Sequence, residues 1–141
     1  MIRVIAILLC ASVLTPVLAN AQSAMTPEQR MQSRFPQPVR VGDLIGDPVL
    51  DDQARTLGHI RAVIRAGDGK IKLIVDYGGL FGISWGSHPV SVPLEVVGIA
   101  GRHVSSLDMS DAEFAVAPTW HNADVQPLAD DTVIRIALAR H

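Results

Sequence analysis

The clearest periodicity in the chain lies between His59 and Tyr77. Apolar Ile60, Ala62, Ile64 and Ala66 alternate with polar His59, Arg61 and Arg65, the period-two pattern of a strand with one buried and one wetted face. Lys70 to Tyr77 alternates again, with Ile71, Leu73, Val75 and Tyr77 on one side and Lys70, Lys72 and Asp76 on the other. Gly67-Asp68-Gly69 separates the two runs and predicts a hairpin, because such residues adopt the backbone conformations a tight turn needs. Shorter strand signals follow at residues 88–92, 96–99 and 104–107, punctuated by Pro93, Gly98 and Gly101. Ser110-Asp111-Ala112-Glu113 fits a capping box and predicts a short helix near residues 111–116, which must stop before Pro118. Residues 132–138 alternate once more, with Ile134, Ile136 and Leu138 on one side. Short strands at this spacing predict a mainly-β fold, a small barrel or a sandwich in preference to βαβ units.

Upstream of the strands, residues 22–38 are polar and rich in breakers, with Pro27, Pro36, Pro38 and a lone aromatic, Phe35. They read as a flexible leader, within which Thr26 and Pro27 offer a cap and first residue for a short helix over 26–33. The domain proper is expected over 39–120, with 121–141 as a C-terminal extension. At 141 residues the chain has room for one domain, and 48% hydrophobic against 18% charged residues excludes a disordered or collagen-like chain. Twelve basic residues against 14 acidic ones supply no broad positive field, so nucleic acid is not an expected partner.

The first 21 residues read as an export signal. Arg3 precedes an uncharged apolar run from Val4 to Leu14, and Ala19-Asn20-Ala21 supplies the small-x-small pattern that signal peptidase cleaves. Cleavage is expected after Ala21, with a periplasmic mature chain starting at Gln22. The alternative, a retained anchor, is opposed by an apolar stretch shorter than the roughly 20 residues that span a bilayer. Cys10 lies inside the apolar run, where a lipid-bearing cysteine would not lie. It is the sole cysteine, so the mature chain would hold no disulfide and depend on its apolar core.

Asp43-Leu44-Ile45-Gly46-Asp47-Pro48-Val49-Leu50-Asp51-Asp52, followed by Leu57-Gly58-His59-Ile60, opens a series of segments that in this order resemble the PRC-barrel family, being similar to its opening "Leu-Ile-Gly-x-Pro-Val", acidic turn and "Gly-x-Ile". Val90-Ser91-Val92-Pro93 is similar to its "Val-x-Val-Pro" segment. Residues 107–114 and Ala117-Pro118-Thr119-Trp120 resemble its closing acidic turn, short helix and "Ala-Pro-x-aromatic". The resemblance covers about residues 40–120 and implies a small closed six-stranded β-barrel that docks onto other macromolecules. It supplies no catalytic residue and no cofactor.

The sharpest signal for an enzyme is Gly82-Ile83-Ser84-Trp85-Gly86, a literal G-x-S-x-G with His88 and Asp76 nearby. In hydrolases that motif joins a strand to a helix, whereas the residues after it here are strand-like. A small hydrolase using Ser84 is therefore the alternative to a non-catalytic reading. Leu80, Phe81 and Trp85 stand among four glycines and form the candidate partner-binding patch, since aromatics anchor interfaces. The competing reading has Phe81 and Trp85 folding back to cap the barrel. Arg61 and Arg65, with Lys70 and Lys72, complete the candidate contact surface by placing positive charge on one hairpin face. The acidic pair Asp51-Asp52 reads as a turn. His59, His88, His103, His121 and His141 show no ligand spacing and have no cysteine partner, so no metal is expected, with a ligand or metal carrier kept as a further alternative. The expectation is an exported, non-catalytic protein-binding module without a cofactor.

Overall fold

The structure, a computed structural model, describes residues 24–79, 86–121 and 125–140. Its elements run α1 (Pro27–Ser33), β1 (Gln37–Arg40), α2 (Val41–Leu44), β2 (Pro48–Leu50), β3 (Thr56–Arg65), β4 (Ile71–Tyr77) and β5 (His88–Pro93). A 3-10 turn at Leu94–Val96 leads into β6 (Val97–Ala100), β7 (His103–Ser106), α3 (Asp111–Ala115) and β8 (Val133–Leu138). The expected hairpin is β3–β4. Its turn is held by Gly69 N–H donating to the Ala66 carbonyl (2.9 Å) and by the Asp68 carboxylate accepting from Lys70 N–H (3.0 Å). Both predicted helix starts form as well. Thr26 with Gln29 and Ser110 with Glu113 make reciprocal capping boxes, each satisfying two otherwise orphaned N–H groups.

The strands form one mixed sheet in the order β1-β8-β6-β7-β2-β3-β4-β5, parallel at β2–β7 and β6–β8 and antiparallel elsewhere. Mainly-β is therefore right, but the closed six-stranded barrel implied by the family resemblance does not form: the sheet has eight strands and stays open. Closure would need β5 to pair with β1. The outer edge of β5 is already used, since Ser91 N–H donates to the Pro118 carbonyl (2.8 Å) and Trp120 N–H to the Pro89 carbonyl (2.9 Å). Pro93 then ends β5 in the 3-10 turn. At the other end, Pro38 of β1 has no N–H to offer a further strand.

Eight strands laid flat would span about 34 Å. Val90 and Val92 of β5 nevertheless share one apolar cluster with Ile134 and Ile136 of β8, against which Val39 of β1 also packs. The sheet is therefore strongly curled, with its core on the concave face and Phe114 of α3 fully buried there. A second, smaller cluster lies on the convex face, where Trp120 and Val125 cover Ala62, Ile64 and Ile74.

A β-bulge separates these two faces along β3. The register passes from Ile60↔Val75 to Ala62↔Ile74, leaving Arg61 as the extra residue. Ile60 and Val63 consequently point to the main core, while Ala62 and Ile64 point the other way. The strict alternation expected for this strand holds only as far as the bulge. In β4 the expected inward set of Ile71, Leu73, Val75 and Tyr77 does pack on the core. Among the described residues, no helix is long and apolar enough to cross a membrane.

Candidate functional site

Val49 and Val104, opposite one another in the β2–β7 register, face the core. Their neighbours Leu50 and Ser105 therefore face outward, and Gly98 of β6 pairs with Ser105. A Cβ on Gly98 would lie 2.8 Å from Leu107 Cδ1 and 2.9 Å from Ala139 N. Lack of a side chain there lets Leu107 lie across β6 and keeps the convex face shallow. The result is a cleft of about 480 Å³, lined among others by Leu50, Asp52, His103, Ser105, Leu107 and Arg140. A second lobe of about 270 Å³ is lined by Ser33, Arg34, Phe35, Leu107, Leu138 and Arg140. The two lobes meet at Leu107 and Arg140.

One rim of the larger lobe is the turn after β2. Asp51 organises it by accepting from Gln53 N–H (2.9 Å), Arg55 N–H (2.8 Å) and Arg55 Nε (2.7 Å). Burial alone would raise the Asp51 carboxyl, but the hydrogen bonds from Arg55 and Gln53 outweigh it and hold the group below its ordinary value. Asp51 is thus committed to the turn, and the exposed Asp52 carries the negative charge at this end.

The rim of the smaller lobe is Phe35, which is 57% exposed and has φ of +53°. A bulky residue in the left-handed region is strained and persists only where its surroundings over-determine it. Here Leu138 N–H donates to the Arg34 carbonyl (2.9 Å), and Arg135 Nη2 donates to the Pro36 carbonyl (2.7 Å). Arg34 is itself gripped by Asp108 through Nη1 to Oδ2 (2.6 Å) and Nη2 to Oδ1 (3.1 Å). The Arg140 guanidinium then sits 4.4 Å from the centroid of the Phe35 ring, a cation–π contact.

Among the described residues, the structure parts Arg61 from Arg65. Leu80, Phe81 and Trp85, with Ser84, lie outside the described residues. Arg61 is on the convex face, 3.5 Å from Asp76 Oδ1. Arg65 pairs with Ile71, which packs on the core, so it faces the other side, beside Met31 and Glu95. The bulge at Arg61 is what parts them. Lys70 is tied to Glu28 of α1, so the four basic residues do not form one face. His88 lies opposite Tyr77, with ring centroids 5.7 Å apart. Asp76, next along β4, points to the opposite face, and the two side chains cannot form a catalytic relay. No group of three His, Cys, Asp or Glu side chains that could hold a metal occurs among the described residues.

Phe35, Leu107 and Arg140 were not anticipated from the sequence. The one available signal was Phe35 itself, a lone aromatic in a polar, proline-rich stretch. Neither a family model nor a curated protein matches the chain. Its class therefore rests on its own geometry: an open, curled, mainly-β sheet with a polar–apolar groove whose two lobes share Leu107 and Arg140.

Proposed function

We propose that this chain is a non-catalytic, exported protein-binding module acting in the periplasm or cell envelope. The observation that carries the reading is Phe35, an exposed aromatic held in strained backbone with a guanidinium over its ring. Aromatic and arginine side chains dominate interface hot spots, and strain of this kind concentrates at binding sites. The order of segments resembling the PRC-barrel family supports a docking role. The apolar run before Ala19-Asn20-Ala21 supports export.

The test is affinity capture by the chain starting at Gln22 from periplasmic and membrane extracts, with reciprocal capture of each candidate. A Phe35→Ala variant and a Phe81→Ala/Trp85→Ala variant run alongside. The expected result is a specific partner lost by at least one folded variant. Absence of any reciprocal partner overturns the reading. Fluorophosphonate labelling that disappears in Ser84→Ala would replace it with a hydrolase.

A further inference from the structure

Among the described residues, Arg140 is the one charged side chain shared by both lobes of the groove. Among the described residues no carboxylate pairs with it, in contrast to Arg30, Arg34, Arg55 and Arg61. The guanidinium over the Phe35 ring engages it through its charge, a contact that uses none of its N–H donors in a hydrogen bond, and an arginine fork matches a carboxylate. The apolar surfaces lie on either side of it, Leu138 towards Phe35 and Leu50, Ala54 and Ala139 towards Asp52, with Leu107 shared by both lobes. A partner chain crossing the groove would thus meet apolar surface, then a positive fork, then apolar surface again.

We infer that the groove binds an extended peptide segment of a partner protein through one acidic side chain at Arg140, flanked on each side by apolar residues. This deepens the binding-module reading and rests on it. The position of Arg140 at the junction of the lobes, instead of at a closed end, favours a side-chain carboxylate over a chain terminus, because the backbone can continue in both directions. Asp52 at the far rim disfavours a second acid there. The chemistry is recognition alone, with no bond made or broken.

The test uses the purified protein, isotopically labelled, and two neutral-ended probes: acetyl-Leu-Glu-Leu-amide and its isostere acetyl-Leu-Gln-Leu-amide. At about 1 mM probe, where millimolar binding is visible, the Glu peptide is expected to shift the amide resonances of Ser105, Leu107 and Ala139. The Gln peptide should bind at least tenfold more weakly, and Arg140→Gln should reduce affinity for the Glu peptide by a similar factor. The probe comparison needs no variant, so it stands even if a substitution perturbs folding. Equal binding of the two probes, or no shift at these amides, overturns the inference. If a reciprocally captured partner is held at wild-type strength by Arg140→Gln, the groove is wrong and the module reading survives. If no specific partner exists, both fall.

Discussion

Arg34 and Asp108, 74 positions apart in sequence, form a bidentate ion pair that fastens the end of α1 to the segment after β7. Arg30 Nε approaches the same carboxylate at 3.4 Å. Both partners are largely shielded, with the Arg34 side chain 28% exposed and that of Asp108 19%. The pair therefore fixes geometry more firmly than a solvent-exposed ion pair would. Its position one residue before Phe35 makes it the foundation of the groove's smaller lobe.

Breaking this fork should loosen α1 without unfolding the sheet. Asp108→Asn is expected to cost about 1–2 kcal/mol at neutral pH, the usual loss for a charge-assisted hydrogen-bonded pair. Hydrogen bonding from Arg34 holds the Asp108 carboxyl below its ordinary value; burial opposes this, and the charges of Arg34 and Arg30 add to it. A depressed carboxyl contributes stability above its unfolded value of about 3.9 and loses it as pH falls through the lower folded value. The stability gap between wild type and Asp108→Asn should thus be full at pH 7 and shrink in strong acid. Urea midpoints at several pH values measure it, and a gap independent of pH would refute the assignment.

Gly58 marks a close approach between β3 and β4. A Cβ there would fall 2.2 Å from the Asp76 carbonyl oxygen and 2.9 Å from Val75 Cγ1. Backbone cannot give way as a flexible side-chain tip would. Gly58→Ala should therefore destabilise the protein by about 3 kcal/mol, at the upper end for overpacking. Gly67, which has open space around it, is the control: Gly67→Ala should change the urea midpoint far less.

Local sequence signals determined neither the bulge nor the open edge, and the reason is physical in each case. The turn residues 67–69 and the Ser110–Glu113 box act within a few positions, so the hairpin and α3 were readable. The bulge at Arg61 depends on the cross-strand register, which no single strand contains. A hint was present, since Ala62-Val63-Ile64 is an unbroken apolar run and so implies cover on both faces. Closure depended on whether residues 118–120 or β1 would pair with β5, a contest between segments distant in sequence. The groove was less legible still, because Phe35, Leu107 and Arg140 lie far apart along the chain and come together only through the β1–β8, β6–β8 and β6–β7 pairings combined.

Trp120 should prove to be part of the fold's second core. It covers Ala62, Ile64 and Ile74 on the convex face, while its backbone N–H pairs with Pro89. Trp120→Ala is expected to cost about 2 kcal/mol, less than truncation of a fully enclosed aromatic because this side chain is only partly buried. Hydrogen exchange locates the effect: the Ser91 amide, which donates to Pro118, should lose protection, whereas Gly69 in the hairpin turn should not. Equal loss at both positions would mean that the substitution unfolds the sheet globally.

Tyr77 gives an alkaline probe of how α3 docks. Its hydroxyl donates to Asp111 Oδ1 at 2.7 Å, and its ring stacks on Phe114 with centroids 6.1 Å apart. The Asp111 hydrogen bond is the main cause raising the phenol above its ordinary value, with burial and the negative charge of Asp111 acting in the same direction. A phenol raised on folding contributes stability that is complete below its unfolded value of about 10 and is lost as pH rises through the folded one. Because the chain contains a single tyrosine, tyrosinate absorbance reports this group alone. Asp111→Ala should move the titration midpoint down towards 10 and leave the Phe114 stack in place. Tyr77→Phe should cost about 1 kcal/mol at neutral pH and flatten the alkaline fall in stability. A midpoint unchanged in Asp111→Ala would show that burial alone, and not the link to α3, sets the phenol.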